Sequence, residues 1–423
     1  VKIGLLGLGT VGRAVVQALR ENRDRIEARA GVPLEVARAL VRRPELHRSE
    51  DVPVTTDVRA ILDDPEIRIV VEVMGGFEPA RTYILEALAR GKAVVTANKE
   101  VLANAAEELL REAEQSRADL LFEASVGAGV PLIRGINMGL AANRVRRVLG
   151  ILNGTTNFIL TAMYQQGQSF AEALQAAKAL GYAEADPTAD IEGFDAARKI
   201  AILASIAFGA PVGERDVFRE GISQVERVDV ERGRQFGWRL KQRSQAREYA
   251  GRLDVRVTPV FLPEGHPLAS VEGVYNAVMV EALPIGETMF YGPGAGGPST
   301  ASAVLSDVIE AARNIRVGGR AFTIDHYRVL PILPPDEVES AFYVRMVVAD
   351  RPGVLAQVAG VFGAHGVSIE AVHQRPLEEG AELVLVTHPA KERAFFTARD
   401  ELRDHPVVAE LGTPIRIEGS HVP

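Results

Sequence analysis

A chain of 423 residues is long enough for two to four domains and a large core. Its 47% hydrophobic and 25% charged residues are an ordinary globular balance, and a net charge of −8 with both signs interspersed argues against nucleic acid or an anionic membrane as the main partner. No apolar run approaches the ~20 residues that span a bilayer, and the absence of cysteine removes disulfides, thiolate metal sites and cysteine nucleophiles.

Val1 to Leu6 reads as a short buried strand with no basic-then-apolar leader before it, so a cytoplasmic location is expected. Gly7-Leu8-Gly9-Thr10-Val11-Gly12 follows, and Val11, Val15, Val16 and Leu19 predict a helix to about Arg29. Further strands are predicted over Leu34–Val41, Ile67–Val73, Ala93–Thr96 and Leu120–Glu123, with helices near Ala80–Arg90 and Glu100–Glu114. Alternating buried strands and helices imply a mostly parallel sheet covered on both faces, an α/β Rossmann-type domain.

From about Ser125 the pattern becomes α+β, with helices over Phe170–Leu180, ended by Gly181, and Phe194–Phe208, and strands around Val255–Phe261 and Ala277–Leu283. A glycine loop at Gly292–Pro298 precedes a helix from Thr300 to about Arg313, which Ser299 is expected to cap. Leu330–Pro335 reads as a stiff, extended linker. Beyond it, Ala341–Val348, Val354–Ala364, Val367–His373, Glu382–Thr387 and Lys391–Arg403 give a β-α-β-β-α order that suits a small ferredoxin-like domain.

Gly7, Gly9 and Gly12 stand after a strand and open a helix, as dinucleotide binding requires. Gly7 allows the turn, Gly9 lets the backbone approach a pyrophosphate, and Gly12 lets helix and strand pack closely. The second strand ends in Arg42-Arg43 rather than in an acid. Two guanidinium groups attract a ribose 2′-phosphate, which favours NADP, with NAD use retained as the alternative.

Two features carry the chemistry. Thr96-Ala97-Asn98-Lys99 follows the fourth strand, and ligands of open parallel sheets lie beyond the strands' carboxyl ends. Gly181 to Lys199 packs Glu184, Asp186, Asp190, Asp195 and Lys199 around a helix end. Asp195 and Lys199 share a helix face at i, i+4. As an exposed ion pair they would contribute only ~0.5 kcal/mol, but the apolar helix around them favours a functional pair. A lysine ammonium can donate the proton taken up when hydride reaches a carbonyl, and a substrate ammonium needs an acceptor such as Glu184. Which lysine moves which proton is open at this level.

These motifs resemble the homoserine dehydrogenase family, in its long, single-function form with a C-terminal ACT domain. The resemblance rests, in chain order, on Gly7–Gly12, Thr96–Lys99, Glu123–Pro131, Asn153-Gly154-Thr155-Thr156-Asn157, Gly181–Lys199 and Gly292–Gly296, with Asp350-Arg351-Pro352-Gly353 opening the ACT domain. It implies NAD(P)-dependent interconversion of L-homoserine and L-aspartate 4-semialdehyde in threonine and methionine biosynthesis. By position, it implies Lys199, Lys99 and Asp195 as catalytic residues and Glu184, Asp190, Asn153 and Thr155 as substrate-binding ones. Gly7, Gly9, Thr10, Val11, Gly12, Arg42, Arg43, Thr96, Lys99, Gly294 and Gly296 are the implied cofactor contacts. Glu123, Val126, Ala128 and Val130 are the implied ligands of a monovalent cation, sodium, through backbone oxygens.

The expected organisation is a dinucleotide-binding domain over 1–125 plus about 299–325, a substrate-binding and dimerisation domain over 126–298, a linker over 326–340 and an ACT regulatory domain over 341–423. A homodimer or homotetramer with threonine as effector is implied, or an ACT domain that only dimerises. Aspartate-semialdehyde dehydrogenase, the nearest rival, needs a cysteine nucleophile that this chain lacks. Another amine or hydroxy-acid dehydrogenase, and a sensor that binds nucleotide and amino acid without reacting, remain as alternatives.

Overall fold

A computed structural model describes residues 1–47, 51–321 and 328–419. The expected domain ends at 322–325, 326–327 and 420–423 therefore lie outside the described residues. The chain forms two compact units, Val1–Val148 with Arg198–Val217 and Asn276–Leu330, and Leu149–Ala197 with Phe218–Tyr275 and Pro331–Pro423. No helix among the described residues is long and apolar enough to cross a membrane.

The first unit is organised by a parallel sheet of β1 (Lys2–Leu6), β2 (Glu35–Leu40), β3 (Val54–Thr55), β4 (Ile67–Glu72), β5 (Ala93–Thr96) and β6 (Leu120–Leu121). The spatial order is β3-β2-β1-β4-β5-β6, and every pairing is parallel. Ile3, Leu5, Leu6, Ile69, Val70 and Val71 are fully buried, the continuous apolar run that a sheet covered on both faces requires. Strand order reverses at β1 and β4, so the loops leaving their carboxyl ends diverge and open a crevice.

The first helix, α1 (Thr10–Glu21), buries Gly12, Val15 and Leu19. The single helix predicted to Arg29 is two. Asn22 leaves helical geometry at φ −114°, ψ 25°, and Arg23–Ala30 forms a second helix ended by Gly31 at φ 72°. The cause is local. The Asn22 side-chain amide donates to the Ala18 carbonyl at 3.3 Å, beside the Asn22 backbone amide, which donates to the same oxygen at 3.0 Å. The helix Gly297–Val317 packs Ala301, Val304, Val308 and Ala311 into the same core as Leu5, Val15 and Leu19. Its N-cap is Gly296, not Ser299. Pro298 has the fixed φ that suits a first turn, so the helix starts earlier and Ser299 lies within it. The Ser299 hydroxyl instead accepts from the Gly129 amide at 3.0 Å.

In the second unit, Trp238–Tyr249 and Arg252–Pro263 form a long antiparallel pair. Ala250 (φ 49°) and Gly251 (φ 77°) make the two-residue connection, whose left-handed backbone matches strand twist. The C-terminal module contains Glu339–Val348, Val354–Ala364, Ile369–Pro376, Ala381–Thr387 and Glu392–Arg403 in the expected order, then Val408–Leu411 and Ile415–Ile417. Its core gathers Phe342, Met346, Val358, Phe362, Phe395 and Leu402. The last strand lies between two parts of this unit. It pairs in parallel with Arg252–Pro263 through Val260 and Phe261, and antiparallel with Glu339–Val348. The segment read as a linker is extended but pinned. The Leu253 amide donates to the Pro331 carbonyl at 2.9 Å and the Leu333 amide to the Leu253 carbonyl at 2.7 Å.

A buried ion cluster lies where these strands meet the helix Glu392–Arg403. Arg256 holds Asp254 and Glu392, each at 2.6 Å. Arg416 holds Glu392 at 2.7 Å and also pairs with Glu220. Asp254, Arg256, Glu392 and Arg416 are all 2% exposed or less, and the Ser340 hydroxyl donates to Glu392 at 2.8 Å.

Candidate active site

The crevice at the carboxyl ends of β1 and β4 is a cavity of about 750 Å³, lined by Gly7, Leu8, Gly9, Thr10, Arg13, Val41, Arg42, Arg43, Met74 and Gly75 among others. The three glycines differ as the dinucleotide reading requires. Gly7 sits at φ +104°, and a Cβ there would lie 3.0 Å from the Val73 carbonyl oxygen. A Cβ on Gly12 would lie 2.2 Å from the Gly7 carbonyl oxygen, so only glycine lets α1 close on the turn. A Cβ on Gly9 would meet no protein atom within 4 Å. The space above Gly9 is open on the ligand side, and this N-cap supplies no side-chain acceptor to the first amides of α1. Those amides are left for an anionic diphosphate.

Arg42 and Arg43 are exposed on the crevice wall just beyond β2. Val11 is half-buried and packs inward against the core. Gly294 and Gly296 belong to the loop before Gly297–Val317, where a Cβ on Gly297 would lie 3.2 Å from the Thr10 side chain. That loop therefore borders the dinucleotide turn.

Glu123, Val126, Ala128 and Val130 lie in one buried loop. Gly127 (φ 73°) and Ala128 (φ 50°) are consecutive left-handed residues, a bend that turns successive carbonyls. The Glu123 carboxylate is committed, since it accepts from the Ile133 and Arg134 amides at 2.9 Å each. Among the described residues no group of three or more His, Cys, Asp or Glu could hold a metal ion. What this loop offers a ligand is therefore its main-chain oxygens rather than the Glu123 carboxylate.

Asp307 braces this loop by accepting from the Glu123 amide and the Arg134 guanidinium, at 2.8 and 2.7 Å. Burial pushes its carboxyl up to about 7, against the pull of Arg134. An acid raised in the folded state stabilises fully below its unfolded pKa, ~3.9, and that contribution is lost as pH rises through about 7. Asp307→Asn should therefore gain melting temperature relative to wild type between about pH 4 and 7 and hold that gain above it. A difference that stays constant across parallel thermal melts would show that Asp307 does not titrate there.

Thr96 and Lys99 take different places. Lys99 is half-buried and opens the helix Lys99–Gln115, whose N-cap Asn98 accepts from the Val101 amide at 3.1 Å. Thr96 is buried and its hydroxyl donates to Glu72 at 2.6 Å. Glu72 was missed by the sequence reading. It is fully buried at the end of β4, accepts from the Met74 amide at 2.8 Å, and has its carboxyl raised by burial. The available signal was an acid closing an apolar strand just before Gly75-Gly76.

In the second unit, Asn153 caps the helix Gly154–Gln166 by accepting from the Thr156 amide at 2.9 Å. Its amide nitrogen donates to Asp190 at 2.7 Å and to Asp195 at 3.0 Å. The Thr155 hydroxyl donates to Asp190 at 2.9 Å. Asn153, Thr155, Asp190 and Asp195 thus form one polar network. Glu184 is exposed on the preceding loop and does not join it. Asp195 and Lys199 are 7% and 8% exposed, one turn apart on a helix whose Ala196, Ala197, Ile200, Ala201 and Leu203 are fully buried. An exposed surface ion pair is therefore not what they are.

Comparisons with known proteins agree along the whole chain. The family described as homoserine dehydrogenase matches residues 131–309, its NAD binding domain residues 7–123, and the ACT domain residues 342–407. A curated homoserine dehydrogenase of Mycobacterium tuberculosis (strain H37Rv) is 45% identical over 432 residues, 99% of this chain and 98% of that one. The crystal structure of a homoserine dehydrogenase from Thiobacillus denitrificans superimposes with a TM-score of 0.94 at 40% identity, covering 99% and 98% of the two chains. A hyperthermophilic archaeal homoserine dehydrogenase solved in complex with NADPH matches 74% of this chain and 97% of its own, with a TM-score of 0.63 at 32% identity.

Proposed function

Because this chain belongs to the homoserine dehydrogenase family and is a nicotinamide-dependent oxidoreductase of homoserine and aspartate 4-semialdehyde, we propose that Lys199 is its proton donor, Asp195 the partner that orients Lys199, and Lys99 the second catalytic amine. The carrying observation is the burial of Asp195 and Lys199 one turn apart in an apolar helix, with Asp195 held by Asn153. When bound, the nicotinamide supplies or accepts the hydride. The chain supplies the proton: Lys199 gives it to the carbonyl oxygen during reduction and takes it from the alcohol during oxidation. Asp190 and Glu184 receive the substrate ammonium, while Asn153, Thr155 and the start of the helix Gly154–Gln166 face its carboxylate. The test is loss of NADPH absorbance on adding aspartate semialdehyde. No oxidation by the purified chain would defeat this assignment.

NADP is the proposed cofactor, bound by Gly7, Gly9, Thr10, Val11 and Gly12, with Thr96, Lys99, Gly294 and Gly296 toward the reacting end. Arg42 and Arg43 would hold the 2′-phosphate. Charge-assisted hydrogen bonds of this kind contribute ~1.5–3 kcal/mol. Arg42→Ala and Arg43→Ala should each raise the Kd for NADPH about tenfold or more and leave that for NADH nearly unchanged, as read by fluorescence titration. Equal effects on both coenzymes would remove the 2′-phosphate role.

The main-chain oxygens of Glu123, Val126, Ala128 and Val130 are proposed to hold sodium. The same reading assigns the chain to the cytoplasm, to threonine and methionine biosynthesis, and to a homodimer or homotetramer with threonine as effector at the ACT domain. It divides the chain at 1–125 plus 299–325, 126–298, 326–340 and 341–423.

A further inference from the structure

Leu6 of β1, Glu72 of β4 and Thr96 of β5 are level in the sheet, for Leu6 pairs with Glu72 and Glu72 with Thr96. Each is the last residue of its strand. The loops that begin one residue later are the dinucleotide turn, the Val73–Gly76 loop and the Ala97–Lys99 loop. One carboxylate reaches two of them. Glu72 Oε1 accepts from the Met74 backbone amide at 2.8 Å and faces the Asn98 side-chain Nδ2 at 3.5 Å, while Oε2 accepts from the Thr96 hydroxyl at 2.6 Å. Asn98 completes the tie by donating to the Gly76 carbonyl at 2.8 Å, and the Thr96 hydroxyl accepts from the Asn98 amide at 3.0 Å. A carboxylate closed off from water is costly unless its acceptors are filled. Here backbone, hydroxyl and amide donors fill them, and one of these donors, Met74, lines the crevice.

We propose that Glu72 is a positioning residue that locks the loops after β4 and β5 together, fixing the wall of the cofactor crevice at Met74 and the start of the helix that carries Lys99. This rests on the reading that the crevice holds the dinucleotide and that Lys99 acts beside it. Glutamine at 72 keeps the size but offers one acceptor oxygen, and its own amide donors would face those of Met74 or Asn98. In the full chain, Glu72→Gln should raise the Kd for NADPH about tenfold and lower kcat at least as much, with KM for homoserine unchanged. Thr96→Val cuts the same tie without removing the carboxylate and should give the same pattern if Glu72→Gln does not fold.

The split between coenzyme Kd and homoserine KM separates positioning from loss of folded protein, which would only lower apparent kcat in step with the folded fraction seen by circular dichroism. Unchanged Kd and kcat, or losses that follow only the folded fraction, would overturn the proposal. Gly9→Val is the control for the underlying reading, because its side chain enters the space above the turn. If that variant binds NADPH normally, the crevice assignment fails and the proposal fails with it.

Discussion

Lys199→Ala should lower kcat about 10²- to 10⁴-fold in both directions, with NADPH binding and the far-ultraviolet circular dichroism spectrum unchanged. That is the range carried by a positioned acid-base group, and here no exposed group can take over, because the amine stands in a buried helix face beside Asp195. Alanine leaves buried Asp195 without the adjacent amine and costs stability, but Asn153 still donates to Asp195 at 3.0 Å, so the chain should remain folded under assay conditions. Lys199→Arg should not restore the rate, since a guanidinium keeps its proton throughout the working pH range. Asp195→Asn should cost less, because it changes the orientation and charge around the amine rather than the proton source. Steady-state assays with homoserine and with aspartate semialdehyde check all three. Turnover by Lys199→Ala equal to wild type would remove the proton-donor role outright.

Glu392→Ala should be the most destabilising single change in the second unit, costing about 3–5 kcal/mol. It leaves Arg256 and Arg416, both 2% exposed or less, facing each other without the carboxylate between them. Arg256 keeps Asp254 and Arg416 keeps Glu220, so the penalty is that of two buried guanidinium groups losing the acceptor they share, with their remaining donors unfilled. Hydrogen bonds from Arg416 and Ser340 and the charges of both arginines hold the Glu392 carboxyl below its ordinary value, although burial opposes them. A depressed acid stabilises above its unfolded pKa, ~4.3, and that contribution is lost as pH falls below this value. The gap between wild type and Glu392→Ala should therefore be full at neutral pH and narrow in acid. Urea titrations at neutral and acidic pH measure it. A gap under about 1 kcal/mol at neutral pH would mean that water already screens the cluster.

What the sequence disclosed, and what it hid, follows from the range of each interaction. Gly7, Gly9 and Gly12 were legible because their demands are met within a few residues of the turn. Asp195 and Lys199 were legible because a polar pair interrupts an apolar helix. Glu72 was not, since its meaning depends on Thr96, 24 residues away on a neighbouring strand. The Arg256–Glu392 contact spans 136 residues and leaves no local trace.

The strand Trp238–Tyr249 escaped detection because Lys241, Gln242, Arg243, Ser244 and Gln245 are all buried, reversing the usual polarity of a central strand. Their partners Asn157, Thr156 and Glu418 come from distant segments, and Asp254 from the adjoining strand. The extent of the helix Gly154–Gln166 left little trace in the sequence, because the helix is buried on several sides and shows little apolar striping. Asn22 and Ser299 failed on a smaller scale, where a single side-chain bond or a proline outweighed periodicity.

The strand Ile415–Ile417 has a consequence for biosynthesis. Translation delivers Arg252–Pro263 and Glu339–Val348 well before the short segment that joins them, so a nascent chain carries Val260–Phe261 and Ala341–Tyr343 without that partner until Ile415–Ile417 leaves the ribosome. The ACT module is therefore no detachable appendage. A stop codon just ahead of residue 415 would yield a polypeptide that retains Lys99, Asp195 and Lys199 but exposes two sticky flanks, a substrate for chaperones and proteases.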